Sequence, residues 1–204
     1  MAYLGTQPNN VKKNIGLYTP SEILQLTKDG SWGGSLELIT KNSFSSVGDL
    51  IFTDIKEDLY NVHILNVTQE CTGDAVNYIR LSNDGGSSYE SSNYQYSFYV
   101  SDSTSPGGET RSAASTQIYM NYGGGLGANE LQNFQYIFYN LGDANKYSFV
   151  TGHSVALGST ASVLTFQSNA IYTVNETINA IRVWLSGGTR TGTAELYGFK
   201  QWVL

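Results

Sequence analysis

Three groups of residues have types and spacings that could do chemistry: two histidines, an acidic cluster and a dense set of tyrosines. His63 lies inside an apolar run and His153 follows Gly152, far away in sequence. A Ser-His-Asp arrangement has no local signature here, and each histidine reads as a satisfied side chain in or near a core. Asp54, Glu57 and Asp58 follow the apolar run Leu50–Thr53. Two carboxylates can act as glycosidase acid and base if a cleft holds them, and loop carboxylates suit calcium. The ordered DxDxDG loop is missing, so a solvated turn is the plainer reading. Gly123-x-Gly125-x-x-Ala128 nominally matches a dinucleotide fingerprint. The residues that follow, Leu131–Tyr139, read as a strand, so no helix N-terminus is offered to a pyrophosphate. GxxxxGK[ST], HExxH and GxSxG do not occur. The single cysteine, Cys71, excludes an intrachain disulfide and a zinc site built on cysteine pairs, and reads as an inert buried thiol. No catalytic residue, cofactor or metal is therefore expected.

The chain holds 15 tyrosines, many of them in a Gly/Ser/Asn-rich middle third. Tyrosine gives rigid contact area and a hydroxyl at low entropic cost, which suits sugar stacking and protein interfaces alike. Tyr89, Tyr94, Tyr96, Tyr119 and Tyr122 are the candidate ligand or interface residues. Alternation in Tyr94-Gln95-Tyr96-Ser97-Phe98 puts Tyr94, Tyr96 and Phe98 on one strand face, which reads as core or subunit interface before open glycan platform. A glycan site, if present, would use the loops Asn83–Ser92, Ser101–Arg111 and Tyr122–Asn129.

The elements that must position these residues are strands. Of 204 residues only 14% are charged, against 40% hydrophobic, and the net charge is −6. Low charge with this much apolar material excludes disorder driven by self-repulsion, and a net negative chain has no general attraction for nucleic acid or anionic lipid. Short β-branched or aromatic runs recur at Leu36–Thr40, Leu50–Ile55, Tyr60–Thr68, Asn77–Ser82, Tyr94–Asp102, Ser115–Asn121, Asn133–Leu141, Lys146–Thr151, Ala161–Gln167, Thr177–Leu185 and Thr193–Trp202. Asn83-Asp84-Gly85-Gly86 and Ser186-Gly187-Gly188 mark turns that need φ > 0. The broken alternation of Ile178–Trp184 implies a bulge or a two-sided strand. Ten or eleven strands with few helices imply an all-β fold: an antiparallel two-sheet β-sandwich, jelly-roll-like, over residues 35–204. Residues 1–34 read as an extended N-terminal arm or attachment segment, within which Ser21–Leu26 forms one helical turn capped by Ser21, or a first strand. Residues 1–20 lack the apolar run of a secretory signal, and no run is long enough to span a membrane as a helix. This places synthesis in a cytosol, although the Tyr/Ser/Gly/Asn-rich surface is of the kind seen on exposed, extracellular β-proteins.

Several stretches resemble accessory virion proteins of tailed bacteriophages, of the marine type. They are LIFTDI at Leu50–Ile55, IRLSNDGGSSY at Ile79–Tyr89, YIFYNLGDANKYSFVTGHS at Tyr136–Ser154, INAIRVWLSGGTRTGTAELYGF at Ile178–Phe199 and the opening MAYLGTQP at Met1–Pro8. The resemblance implies a jelly-roll component that decorates a head, builds a head fibre or sits on a tail, often as a homotrimer, and it carries no catalytic residues. Such a protein is made in the host cell cytoplasm and resides in the virion. Its partners are copies of itself and other virion proteins. Host surface glycan is the alternative partner. Neither nucleic acid nor membrane insertion is expected.

Overall fold

A computed structural model of the chain describes residues 19–28, 36–73, 75–121, 131–158 and 162–199. The chain divides into two compact units, Met1–Ser35 and Leu36–Leu204. In the first, α1 spans Pro20–Lys28. Thr19 caps it: the Glu22 N–H donates to Thr19 Oγ1 at 3.3 Å, and the Thr19 N–H donates to Glu22 Oε2 at 2.7 Å. This reciprocal capping box, with Pro20 at the first helical position, corrects the expected cap from Ser21 to Thr19. Of the two readings of Ser21–Leu26 the helix is the one present, and Met1–Tyr18, read as extended chain, lie outside the described residues.

The second unit is all strand. Its elements are β1 (Leu36–Val47), β2 (Asp49–Phe52), β3 (Val62–Cys71), β4 (Asn77–Ser82), β5 (Tyr94–Asp102) and β6 (Gly108–Ser115). They continue with β7 (Ile118–Asn121), β8 (Gln132–Tyr139), β9 (Ser148–Leu157), β10 (Val163–Tyr172), β11 (Ala180–Leu185) and β12 (Arg190–Phe199). Four antiparallel pairs are nested in sequence: β1 with β12, β2 with β11, β3 with β8 and β4 with β7. Successive pairs fall alternately in two sheets, and β12–β3 and β11–β4 pairings close each sheet. This is one long antiparallel hairpin rolled over itself, the jelly roll. The narrow sheet runs β2-β11-β4-β7 and the wide one β1-β12-β3-β8-β9-β10-β5-β6. The wide sheet is twice as broad because two hairpin-forming segments, β5–β6 and β9–β10, are inserted into the roll and extend it beyond β8.

The turn glycines serve the roll. Gly85 and Gly86 have φ of 74° and 86°, and Gly188 has φ of 70°. Both turns carry the chain from the narrow sheet to the wide one, so neither closes a hairpin between paired strands. The register of β11 is unbroken to both neighbours, so the irregular run Ile178–Trp184 is a two-sided strand and not a bulge. β6 was not legible in sequence: GETRSAAS has no aromatic residue and Thr110 as its one β-branched residue, a composition that an exposed edge strand allows.

Burial alternates along β3, β9 and β10, so one face of the wide sheet packs inward. Leu65, Ile79, Leu81, Ile118, Phe138, Val150, Ile181 and Leu196 are buried between the sheets. A second cluster, Phe98, Val100, Ala156, Leu164 and Phe166, lies under the inserted strands. Polar side chains also cross the interior. Asn77 Nδ2 on the narrow sheet donates to Asn121 Oδ1 at 2.6 Å, and Gln69 Nε2 on the wide sheet donates to Gln132 Oε1 at 2.8 Å. The sheets are joined where Asn121 Nδ2 donates to the Tyr136 hydroxyl at 2.8 Å and to Ser154 Oγ at 3.2 Å. Arg190 is fully buried and donates to Gln69 Oε1 at 3.2 Å and to the Gly48 carbonyl at 3.1 Å. With no carboxylate bonded to it, its pKa is lowered by desolvation to about 10. Gly152 completes this region, since a Cβ there would lie 2.2 Å from the Tyr136 ring.

His63 is the buried histidine its sequence context implied. It has no exposed surface, and its Nε2 lies 2.8 Å from the Ile55 carbonyl. Nε2–H donates, so Nδ1 is the bare nitrogen of the neutral ring, and no partner meets it. Burial lowers its pKa.

Two outcomes follow from this interior. Asn121→Leu removes one of the two acceptors of Asn77 Nδ2 and the amide partner of the Tyr136 hydroxyl, so urea unfolding should show a loss of about 1–3 kcal/mol; an unchanged midpoint would show that the bonds contribute nothing. Because the His63 pKa is lower folded than unfolded, the unfolded chain binds the extra proton first as pH falls below about 6.5. The stability that the neutral ring contributes is present above that pH and declines below it. Thermal melts from pH 7.5 to 5 should show this decline, and His63→Leu should flatten it whatever its effect on stability at pH 7.5.

Candidate functional site

The five tyrosines singled out from sequence do not form one site. Tyr94 is fully buried on the inner face of β5; its hydroxyl accepts from the Leu81 N–H at 2.9 Å, and its ring lies 5.0 Å from that of Tyr172. Burial drives its pKa up. Tyr96 shares that inner face, half-buried, 5.9 Å from the Tyr119 ring. Tyr119, on the edge strand β7, also contacts Phe98 at 5.0 Å and Tyr78 at 5.5 Å, and so closes the end of the sandwich. Tyr122 lies outside the described residues.

Tyr89 belongs to a layer on the outer face of the narrow sheet. The Arg182 guanidinium stands 5.5 Å from the Tyr89 ring and 5.7 Å from that of Trp184, while Arg80 stands 5.9 Å from Trp184. Arg182 and Arg80 are directly opposed across β11 and β4, a repulsive pairing. Arg182 is held by Asp49, with Nη2 and Nε 2.6 and 3.0 Å from one carboxylate oxygen, and Arg80 by Gln117 at 3.2 Å. The Asn83–Ser92 loop that carries Tyr89 is tied by Asp84, which accepts from Ser88 Oγ at 2.6 Å and the Ser88 N–H at 2.9 Å. These bonds lower the Asp84 pKa to about 2. The segment is thus braced by its own hydrogen bonds and by the arginine–aromatic stack. Asp54 and Lys56 form an exposed ion pair at 3.0 Å, so the acidic cluster is a solvated turn. Among the described residues no three His, Cys, Asp or Glu side chains are grouped to hold a metal ion.

The register of the wide sheet assembles something the sequence did not reveal. On its outer face, residues far apart in the chain fall into rows that run across the strands. One row reads Leu36, Phe199, Val62, Tyr139, Phe149 and Ile171 over β1, β12, β3, β8, β9 and β10. Six adjacent strands span about 24 Å, so this is a continuous apolar band on a solvent face. Leu36, Phe149 and Phe199 are 50, 44 and 41% exposed. The next row adds Leu38, Tyr197, Ile64 and Ile137. A third row is polar: Lys41, Glu195, Asn66, Gln135, His153, Gln167, Tyr99 and Glu109.

Between the ends of the polar row the face is concave. A groove of about 670 Å³ runs over β3, β8, β9, β10 and β5, and its lining holds no lysine, arginine, aspartate or glutamate. His153 is therefore exposed in a groove, unlike His63. A second hollow, of about 540 Å³, has Phe149, Asn169 and Arg111 in its lining. The only sequence signal for this face was indirect: Tyr60–Thr68 and Phe134–Tyr139 are apolar on both strand faces where one should be polar.

If Tyr94 is a core residue, Tyr94→Phe should cost about 0.5–1.5 kcal/mol in urea melts through its lost bond to Leu81. A variant as stable as the parent would return this tyrosine to the list of functional candidates. Comparison of the chain with protein-family models, with curated proteins and with solved structures finds no match.

Proposed function

We propose that the chain is a non-enzymatic structural protein of a bacteriophage particle, a head decoration or fibre or a tail-associated component. Residues 1–34 attach it, and the jelly-roll sandwich packs against copies of itself, with a homotrimer as the state the resemblance implies. The apolar band across the outer face of the wide sheet carries this reading. A contiguous exposed band of this kind marks a surface that another protein covers. The two sheet edges point the same way. β6 carries the exposed Glu109–Arg111 pair, and β1 is interrupted at Leu38/Thr40 and Phe44/Val47. Charges and bulges discourage edge-to-edge pairing, so a face and not an edge is the surface for assembly. The protein is made in the host cytoplasm and stays in the virion, with no part in binding nucleic acid or entering a membrane.

The alternative is a host receptor- or glycan-binding module built on the loops. Its residue Tyr89 is packed under Arg182, and Ser101–Arg111 is in part the strand β6, which leaves less free loop than that reading requires.

Light scattering at high micromolar concentration should give the mass of an oligomer, three chains on this proposal. Phe149→Lys combined with Phe199→Lys should give a monomer with an unchanged far-ultraviolet spectrum. A monomeric parent, or an oligomer indifferent to both lysines, would contradict assembly through this face. Deleting residues 1–34 should leave a folded sandwich that no longer joins particles.

A further inference from the structure

We infer that the concave groove beside the apolar band is a binding site for a neutral oligosaccharide, a stretch of uncharged polysaccharide laid across β8, β9, β10 and β5. The inference is independent of the assembly reading, because it rests on different residues of the same face.

The groove's charge and chemistry select the ligand. Its floor is a cross-strand row of Asn66, Gln135, His153, Gln167 and Tyr99, with no lysine, arginine, aspartate or glutamate in the lining. A phosphate, a uronic acid or an acidic peptide would find no formal counter-charge there, and a cationic ligand would find none either. What the row offers is paired donors and acceptors on planar groups. Gln135 Nε2 donates to Asn66 Oδ1 at 2.9 Å, which orients both amides and leaves the Gln135 carbonyl oxygen and the Asn66 amino group for a ligand. Among the described residues no side-chain hydrogen bond engages His153 or Gln167, and both supply further donors and acceptors. A sugar hydroxyl donates and accepts at once, so it matches such alternating groups where a purely apolar or purely charged ligand does not.

Tyr99 provides the stacking surface. It is 53% exposed, and the neighbouring Gly107 gives its ring room, since a Cβ there would lie 2.8 Å from the Tyr99 hydroxyl. An aromatic face beside fixed polar groups binds the C–H side of a pyranose ring while the amides read its hydroxyls. The volume of about 670 Å³ lies within the range of small-ligand sites, roughly 300–1,000 Å³. The groove is open to solvent, so it admits a chain segment and not only a terminal sugar.

The test is affinity electrophoresis of the full chain through gels holding soluble neutral glucan, galactomannan or dextran, with polygalacturonate as the anionic comparison. Retardation by a neutral polysaccharide is expected, with none by polygalacturonate. Tyr99→Ala and Gln135→Ala should each weaken it by about tenfold, at unchanged melting temperature. Ile51→Ala, on the opposite sheet, should leave it unchanged. Binding to none of the neutral polymers, preference for polygalacturonate, or binding that survives Tyr99→Ala would each overturn the inference. The Phe149→Lys, Phe199→Lys variant separates the two proposals: it should lose its partners and keep its sugar. Loss of sugar binding there would assign the site to an interface between copies and overturn its placement in a single groove.

Discussion

The structure depends on how two sheets of unequal width are held in one register through a polar interior. A sandwich closed only by apolar contact tolerates sliding, because such contact is non-directional. Here Asn77, Asn121, Gln69 and Gln132 meet in a buried set of hydrogen bonds between side-chain amides, and Asn121 reaches across to Tyr136 and Ser154. Leaving such groups unpaired in a low-dielectric core is costly, so a slipped stacking is penalised at several positions together. Arg190 adds to the constraint. Its guanidinium is buried without a bonded carboxylate, and only the Gln69 side chain and the Gly48 carbonyl receive its protons. The network fixes the sheet positions, and the sheet positions fix the rows on the outer face.

Those rows give the wide sheet its character. Its extension comes from two insertions into the roll, and the extra strands β9, β10, β5 and β6 turn a conventional half-sandwich into a broad surface. Along it the side chains sort by row into an apolar band and a polar, uncharged groove. The narrow sheet is different. Its outer face is filled by Trp184, Tyr78, Tyr89 and two arginines that stack on one another, a self-contained layer with little left to offer. The two outer faces therefore differ in kind, and the proposed contacts with partners and ligands fall on the wide sheet.

Strand existence was legible in the sequence because local signals specify it. The runs at Asn77–Ser82 and Tyr94–Asp102 match β4 and β5 residue for residue, and the inward placement of Tyr94, Tyr96 and Phe98 follows from period-two alternation. The two-sheet jelly roll followed from strand number and turn chemistry. The helix cap was misplaced by two residues, since Ser21 and Thr19 have equal capping chemistry and the pairing with Glu22 decides between them. β6 was missed because an exposed edge strand needs few branched or aromatic residues, and β6 has only Thr110. The outer-face site was not legible at all. Gln135 and His153 become neighbours of Asn66 and Tyr99 only through the register of five strands drawn from across the chain. Tyrosine density drew the reading toward loops, although several of those rings are structural.

The central claim is that this protein acts by presenting the wide sheet's outer face to other molecules of its kind. Hydroxyl-radical footprinting of dilute and concentrated protein tests it most directly, since the labels attack exposed side chains without altering the chain. The account predicts that Phe149, Phe199, Leu36 and Leu38 are protected on concentration while Ile51 and Leu59, exposed elsewhere, stay labelled. Equal labelling of the band at both concentrations, or protection at Ile51 and Leu59 instead, would contradict it.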